Sequence, residues 1–356
     1  METPGGARAT LFAAAAALLA LAAPSAPLAA APGPAAPDTS GGGLVVGAGR
    51  WGLGFGDVPV LHGIRIDLGD RALRRADGVD LVLWAPARDA GGTVNGLAIG
   101  PVGPGPDRIR GVGAGLLGAV AQQRADGLLA GGLGAVSNGD LWGAGVGGLG
   151  TVVEADLHGL GAAGLGTVVE GSMDGAAVAG LGAVVEGRTR GLVAAGLGAV
   201  SEGRADGILA GGLAAVTEGS LRGAAAGGLA AVVEGRLDGL AVSGLAVVAD
   251  GGLDGVGAAG GVVTTGEALR GLGAAGVAVR ARALDGVALA LGHTSFDAMR
   301  GVGVGAWNRV AGDQYGLSIG LYNDAGALHG VQLGLLNRAR NNPAPFEFLP
   351  FLNVHF

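Results

Sequence analysis

Leucine and valine fall on a fixed grid in this chain. Leu117, Leu133, Leu149, Leu165, Leu181, Leu197, Leu213, Leu229 and Leu245 are spaced 16 residues apart, and a valine follows each by three residues. Numbered from its first glycine (Gly111, Gly127, Gly143 and onward), the unit repeats ten times over residues 111–270. A fixed short period means that one unit, stacked on itself, generates the fold. Positions 2 and 4, as in Leu160 and Ala162, alternate as a short strand does. The alternation breaks at the glycine of position 6 and restarts at the leucine of position 7. A second break falls at positions 12 and 13, often Glu-Gly as in Glu170-Gly171, which is a turn signal. Position 15 is often leucine, as in Leu141, Leu157, Leu221, Leu237, Leu253 and Leu269. The unit predicts two or three strand pieces of four to five residues joined at glycine corners. A helical unit is disfavoured, because each of its glycines would cost about 1 kcal/mol.

The grid changes toward both ends. Residues 271–285, 286–300 and 301–315 form shorter copies of 15, and residues 316–329 one of 14. Upstream, residues 63–77, 78–95 and 96–110 fit the frame loosely. The reading is an all-β chain, a β-solenoid of about 15 tandem coils of 14–16 residues stacked roughly 4.8 Å apart. Ala, Val and Leu take the inward positions of a narrow core. Position 3 (Leu129, Gly145, Gly161, Ala177, Val193) and position 8 (Gly134, Gly150, Gly166, Gly182) fall outward and leave weakly apolar faces.

Composition supports an ordered array. Of 356 residues, 78 are Gly and 14% are charged, but the mean hydropathy of +0.51 exceeds that of disordered Gly-rich chains. Acids and bases are interspersed at a net charge of −7, so nucleic-acid binding has no basic stripe to rest on. Cysteine is absent, which removes disulfides, thiolate metal sites and Cys nucleophiles. Arg8, the apolar run over residues 11–23 and Ala29-Ala30-Ala31 read as an export signal over residues 1–31. Residues 32–62 then form a linker and N-terminal cap, residues 63–110 atypical repeats, residues 111–340 the regular array, and residues 341–356 a C-terminal capping or sorting strand.

The phrases Gly316-Leu-Ser-Ile-Gly-Leu-Tyr-Asn323 and Gly330-Val-Gln-Leu-Gly-Leu-Leu-Asn337 resemble a leptospiral-type family of exported bacterial surface-repeat proteins, built of tandem GVQLGLVN-like units. Pro350-Phe-Leu-Asn-Val-His-Phe356 is similar to the closing strand of that family. The likeness covers residues 63–356 and is best carried by the last two repeats. Where the family tends to carry Asn, the middle copies carry Ala or Gly, as at Gly166 and Gly182, so no asparagine ladder is expected there. The resemblance implies a cell-surface or outer-membrane location and transfers no active site.

A transmembrane β-barrel is the competing architecture. Phe346, Phe348, Pro350, Leu352, Val354 and Phe356 alternate to the C-terminus like an outer-membrane sorting signal. Against it, Trp142 is the one aromatic between Trp84 and Phe296, whereas barrels carry aromatic girdles and alternate short turns with long loops.

Chemistry is sparse. Position 12 is a run of acids, Glu154, Glu170, Glu186, Glu202, Glu218, Glu234 and Asp250. An in-register stack would repel by about 1 kcal/mol per neighbour, with Arg188, Arg204 and Arg236 offsetting part. This edge is a solvated corner or a weak Ca²⁺-binding edge. The histidines, His62, His158, His293, His329 and His355, lie in different repeats and read as surface or turn residues. The GxGxxG matches, such as Gly159-x-Gly161-x-x-Gly164, are products of the repeat, and no phosphate loop occurs. No catalytic residue, cofactor site or cofactor is assigned. The sequence predicts an exported, non-enzymatic structural or interaction scaffold at the bacterial surface or outer membrane. Its partner would be an unknown surface molecule or a second copy, with outer-membrane contact possible. The alternative function is an outer-membrane pore.

Overall fold

The computed structural model describes residues 42–69, 71–85 and 91–356; the expected export signal at 1–31 lies outside them. Every regular element among these residues is a β-strand, and the chain is a β-solenoid. The described residues divide into two compact units, the first ending at Val185 and the second starting at Glu186.

Each regular coil contributes a long strand and a short one. Leu157–Ala163 and Gly166–Val169 make one coil of the first unit, and Ala205–Gly211 and Ala214–Thr217 one of the second. Each strand pairs in parallel with its counterpart 16 residues away: Leu141 lies opposite Leu157 and Thr151 opposite Thr167. In the shorter coils the offset falls to 15, with Leu269 opposite Leu284. This pattern sets the barrel alternative aside, because neighbouring barrel strands run antiparallel. The loosely matching upstream repeats join the same register, with Gly63, Gly78, Gly96 and Gly111 in one column.

Glycine is mandatory at position 1. Gly159 has φ +134°, and a Cβ there would sit 2.0 Å from the carbonyl oxygen of Gly143 one coil away. Only a residue without a side chain takes that backbone at that approach. The bend lets positions 16 and 2 both face outward while positions 15 and 3 both face inward.

The core corrects the expected faces. Position 3 points inward, and Leu129, Ala177, Val193 and Leu209 are buried. Positions 9, 11 and 15 complete the interior, as in Thr167, Val169 and Leu157. The leucines of position 7 face outward instead. Positions 15 and 3 of one coil compensate in size. Leu141 faces Gly145, Leu157 faces Gly161 and Leu253 faces Gly257, while Ala125 pairs with Leu129 and Ala205 with Leu209. A Cβ on Gly257 would meet Leu253 Cδ1 at 2.8 Å, and one on Gly145 would meet Leu141 Cδ2 at 2.8 Å. One large and one small side chain per coil fills this part of the interior without strain. Some buried hydroxyls bond to backbone or to one another, as Thr167 Oγ1 donates to the Val178 carbonyl at 3.0 Å and Thr189 and Ser201 lie 2.9 Å apart, while those of Thr217, Ser243 and Ser318 find no partner among the described residues.

The ends differ from the middle. Leu44–Ala48 pairs antiparallel with Trp51–Phe55, which pairs in parallel with Val60–Asp67. Inside this first stretch, position 3 carries Arg65 and then Asp80, both fully buried; Arg65 Nη1 donates to Asp80 Oδ1 at 2.9 Å, and the guanidinium also bonds the Asp67 carboxylate. At the other end Phe348–His355 pairs antiparallel with Tyr322–Ala339.

Candidate functional site

With the interior assigned to positions 3, 9, 11 and 15, the outer columns hold what can act on other molecules. They fall into an apolar set and a charged set. Position 7 carries the apolar ridge. Its leucines are 38–51% exposed from Leu117 to Leu181 in the first unit, and 42–58% from Leu197 to Leu245 in the second. Within each unit backbone bonds hold each to the next, as from Leu149 N to the Leu133 carbonyl at 2.7 Å and from Leu229 N to the Leu213 carbonyl at 2.8 Å. Positions 2 and 4 add Leu160 and Val178 in the first unit and Ile208, Leu240 and Val242 in the second, all exposed. In the second unit Val242, Ala258, Ala274, Leu289, Leu291 and Val304 line an open apolar groove of about 550 Å³. Two alanine coils between bulkier neighbours make its floor.

Positions 14 and 16 carry the charge, and it is largely paired. Arg188 Nη2 lies 2.7 Å from Asp206 Oδ2, Arg204 reaches the same carboxylate at 3.4 Å, and Arg236 holds Asp238 at 3.0 Å and also bonds Asp254. Donation from Arg188, then from Arg204, keeps Asp206 below the usual carboxylate range. These three arginines therefore serve the aspartates of position 16, not the glutamates of position 12 as the sequence suggested. The position-12 carboxylates do stack one per coil: Glu154 and Glu170 in the first unit, Glu186, Glu202, Glu218, Glu234 and Asp250 in the second. Burial, then the charges of Glu186 and Glu218, raise the Glu202 carboxyl above its ordinary value. No group of three or more His, Cys, Asp or Glu able to hold a metal forms among the described residues.

The histidines sit on the outer faces, four of them beside aromatics one coil away. His158 stacks on Trp142 with centroids 3.9 Å apart, His62 on Trp51 at 4.8 Å and His329 on Tyr315 at 4.7 Å. His62 Nδ1 is also 2.8 Å from Asp77 Oδ2. His355 meets His329 edge-on at 6.0 Å. The stacked pairs within the array are offset by one repeat length, a signal present in the sequence and missed when histidines were compared only with one another.

The last coils are built differently. The column of position 9, alanine, valine or threonine in the middle of the array, continues by register into Asn308, Asn323 and Asn337, although each is the eighth residue of its own copy. These form a buried ladder, with Asn308 Nδ2 donating to Asn323 Oδ1 and Asn323 Nδ2 to Asn337 Oδ1, each at 2.7 Å. Thr294 Oγ1 caps it at 2.6 Å. The column on the outer side, position 8, changes with it to His293, Trp307 and Tyr322. Trp307 meets His293 and Tyr322 edge-on, at 6.1 and 5.5 Å. Burial first, and the nearby charge of Arg280 next, push the His293 imidazole below its ordinary pKa.

No protein-family model, no curated protein and no solved structure matches this chain.

Proposed function

We propose that this chain is an exported, non-enzymatic repeat protein that works as a structural or interaction scaffold at the bacterial surface or outer membrane. One observation carries the reading: the most regular apolar column of the sequence lies on the outside. Isolated exposed leucines are ordinary, but contiguous apolar surface marks a contact with another molecule. A folding role for the position-7 leucines is weak, since positions 3, 9, 11 and 15 already fill the interior. The likeness to surface-repeat proteins in the last two repeats and the export signal that the sequence predicts over residues 1–31 support the location.

Two measurements test it. The full chain, expressed in a Gram-negative host, is expected to lose residues 1–31 and to become accessible to protease added to intact cells; an uncleaved chain held in the cytoplasm would sink the location. The triple substitution Leu213→Gln, Leu229→Gln and Leu245→Gln is expected to leave the fold intact and to reduce retention on the cell surface about tenfold. Retention equal to that of the parent chain would remove the apolar ridge from the function.

A further inference from the structure

We propose that the outer side of the short strands in the last coils binds an acidic glycan, a pyranose ring bearing a carboxylate or sulfate, between Arg280 and Arg309 and against Trp307. It supplies a ligand for the scaffold reading but does not use the leucine ridge, so the two stand or fall separately.

The site is built by strict alternation. In His293-Thr294-Ser295 and Trp307-Asn308-Arg309 the middle residue is buried in the polar ladder and the flanking two face outward, whereas in Tyr322-Asn323-Asp324 only Tyr322 does, because Asp324 is buried too. Arg280, Ser295 and Arg309 are register partners in one outer column. Two coils separate the arginines, roughly 10 Å along the stack, with the Ser295 hydroxyl between them. His293, Trp307 and Tyr322 are register partners in the column beside it.

Along the regular array most arginines meet aspartate, as in Arg188–Asp206 and Arg236–Asp238, with Arg190 the exposed exception among the described residues. Arg280 and Arg309 are exposed and make no ion pair among the described residues. The one acid next in their column, Asp324, is held by Arg340, with Nη2 and Oδ2 2.7 Å apart. The patch is thus locally cationic on a chain of net charge −7. Guanidinium forks match carboxylate or sulfate oxygens bidentately.

The aromatic part adds a surface for a ring. Trp307 is 53% exposed, and neither aromatic neighbour lies flat on it, unlike Trp142 and Trp51 with their stacked histidines. Behind these side chains, Asn308 and Asn323 bond from coil to coil and fix the strands that present them, which preorganises the site. Two unpaired arginines do not make the extended basic groove that a single-stranded nucleic acid needs, and this favours a short anionic sugar.

Tryptophan fluorescence of the full chain, titrated with hexagalacturonate and with a dextran sulfate hexasaccharide, tests the proposal. At least one acidic probe is expected to give a saturable change, with affinity about tenfold or more above that for neutral maltohexaose. Arg280→Ala combined with Arg309→Ala is expected to weaken binding at least about tenfold, as is Trp307→Phe titrated calorimetrically, while Arg222→Ala in the paired column leaves it unchanged. Circular dichroism melts identify any variant that has lost its fold. The proposal is overturned by no saturable response to either acidic probe, by equal affinity for maltohexaose, by equal affinity for sodium sulfate, or by tighter binding of hexathymidylate. Site variants that are folded and bind like the parent chain overturn it as well.

Discussion

Within the second unit, the coils around Ala205–Thr217 and those around Trp307–Asn337 follow the same register and fill it in opposite ways. The first stretch is largely apolar inside, with Ser201 and Thr217 its buried hydroxyls. Ala205 and Leu209 share the space of one coil, and column 9 holds Ala215, whose methyl asks nothing of its neighbours. In the second stretch column 9 holds asparagines whose amides bond from coil to coil. A methyl column leaves coils joined by backbone bonds and packing alone; an amide column adds a side-chain strand of hydrogen bonds, strong because it is buried and satisfied. The outer columns change in step, from leucine and valine with paired charges to aromatics with unpaired arginines. Stiffness inside and chemistry outside therefore coincide in the last coils.

Four perturbations bear on this contrast, in falling order of effect. Gly239→Ala is expected to be the most damaging. Gly239 has φ +140° and a Cβ there would lie 2.1 Å from the Gly223 carbonyl oxygen, so we expect a loss of about 3 kcal/mol or more. An unchanged denaturation midpoint would refute the corner requirement for apolar and polar coils alike, since Gly316 has the same geometry.

Next comes the size exchange in an apolar coil. Leu253→Ala opens a cavity worth about 3 kcal/mol, and Gly257→Leu overfills by about 2 kcal/mol. Together they reproduce the arrangement of Ala205 and Leu209, and most of the loss is expected to return. Additive losses in the double-mutant cycle would show that the two positions do not share one space.

Smaller effects probe the ladder. Asn323→Ala removes the donor to Asn337 Oδ1 and to the Leu333 carbonyl, a cost of about 2 kcal/mol for buried groups left unpaired. The reverse change, Ala215→Asn, is expected to cost a similar amount, because no amide stands above or below it. If Ala215→Asn is neutral in a thermal melt, the apolar column is polar-tolerant and the contrast collapses.

The weakest effect is that of pH. Glu202 has a raised folded pKa, so ionising it opposes folding, and the stability it withholds returns as pH falls through that value. Asp206 has a lowered one, so its contribution, present at neutral pH, is lost only as pH falls further toward its depressed pKa. Glu202→Gln is expected to raise the Tm at pH 7 by about a degree, and Asp206→Asn to lower it. A Tm that falls in Glu202→Gln at pH 7 would reverse the sign assigned to the carboxylate ladder.

Much of the architecture was legible in the sequence. The period, the glycine corners and the shortening of later copies gave the solenoid and its parallel stacking. Inside and outside were not legible, because both phases of the alternation carry apolar residues. Leu160 at position 2 and Leu209 at position 3 look alike on paper, and Gly161 at position 3 looks like surface until Leu157 is seen to occupy its space. The family likeness sets the asparagines against position 8, as at Gly166, but they lie one column further in, because the stretch from corner glycine to short strand is one residue shorter from Gly301 onward. The arginines were matched to the nearest acids in the chain, whereas the parallel register brings Asp206 to Arg188 from 18 residues away. What escaped was what depends on the neighbouring coil: the histidine stacks, the amide ladder and the patch around Trp307.

The pairing of a large and a small residue within one coil also has a consequence for heredity. Because Leu253 is accommodated by Gly257 of its own strand, any run of 16 codons that spans both carries its volume compensation inside itself. A slipped replication event that duplicates or drops such a copy transmits a unit already fitted for that space, with no compensating change needed elsewhere in the gene. Array length can then drift among strains while the corner glycines stay fixed, and the coils that cannot be copied so freely are the last ones, whose asparagines are committed to particular neighbours.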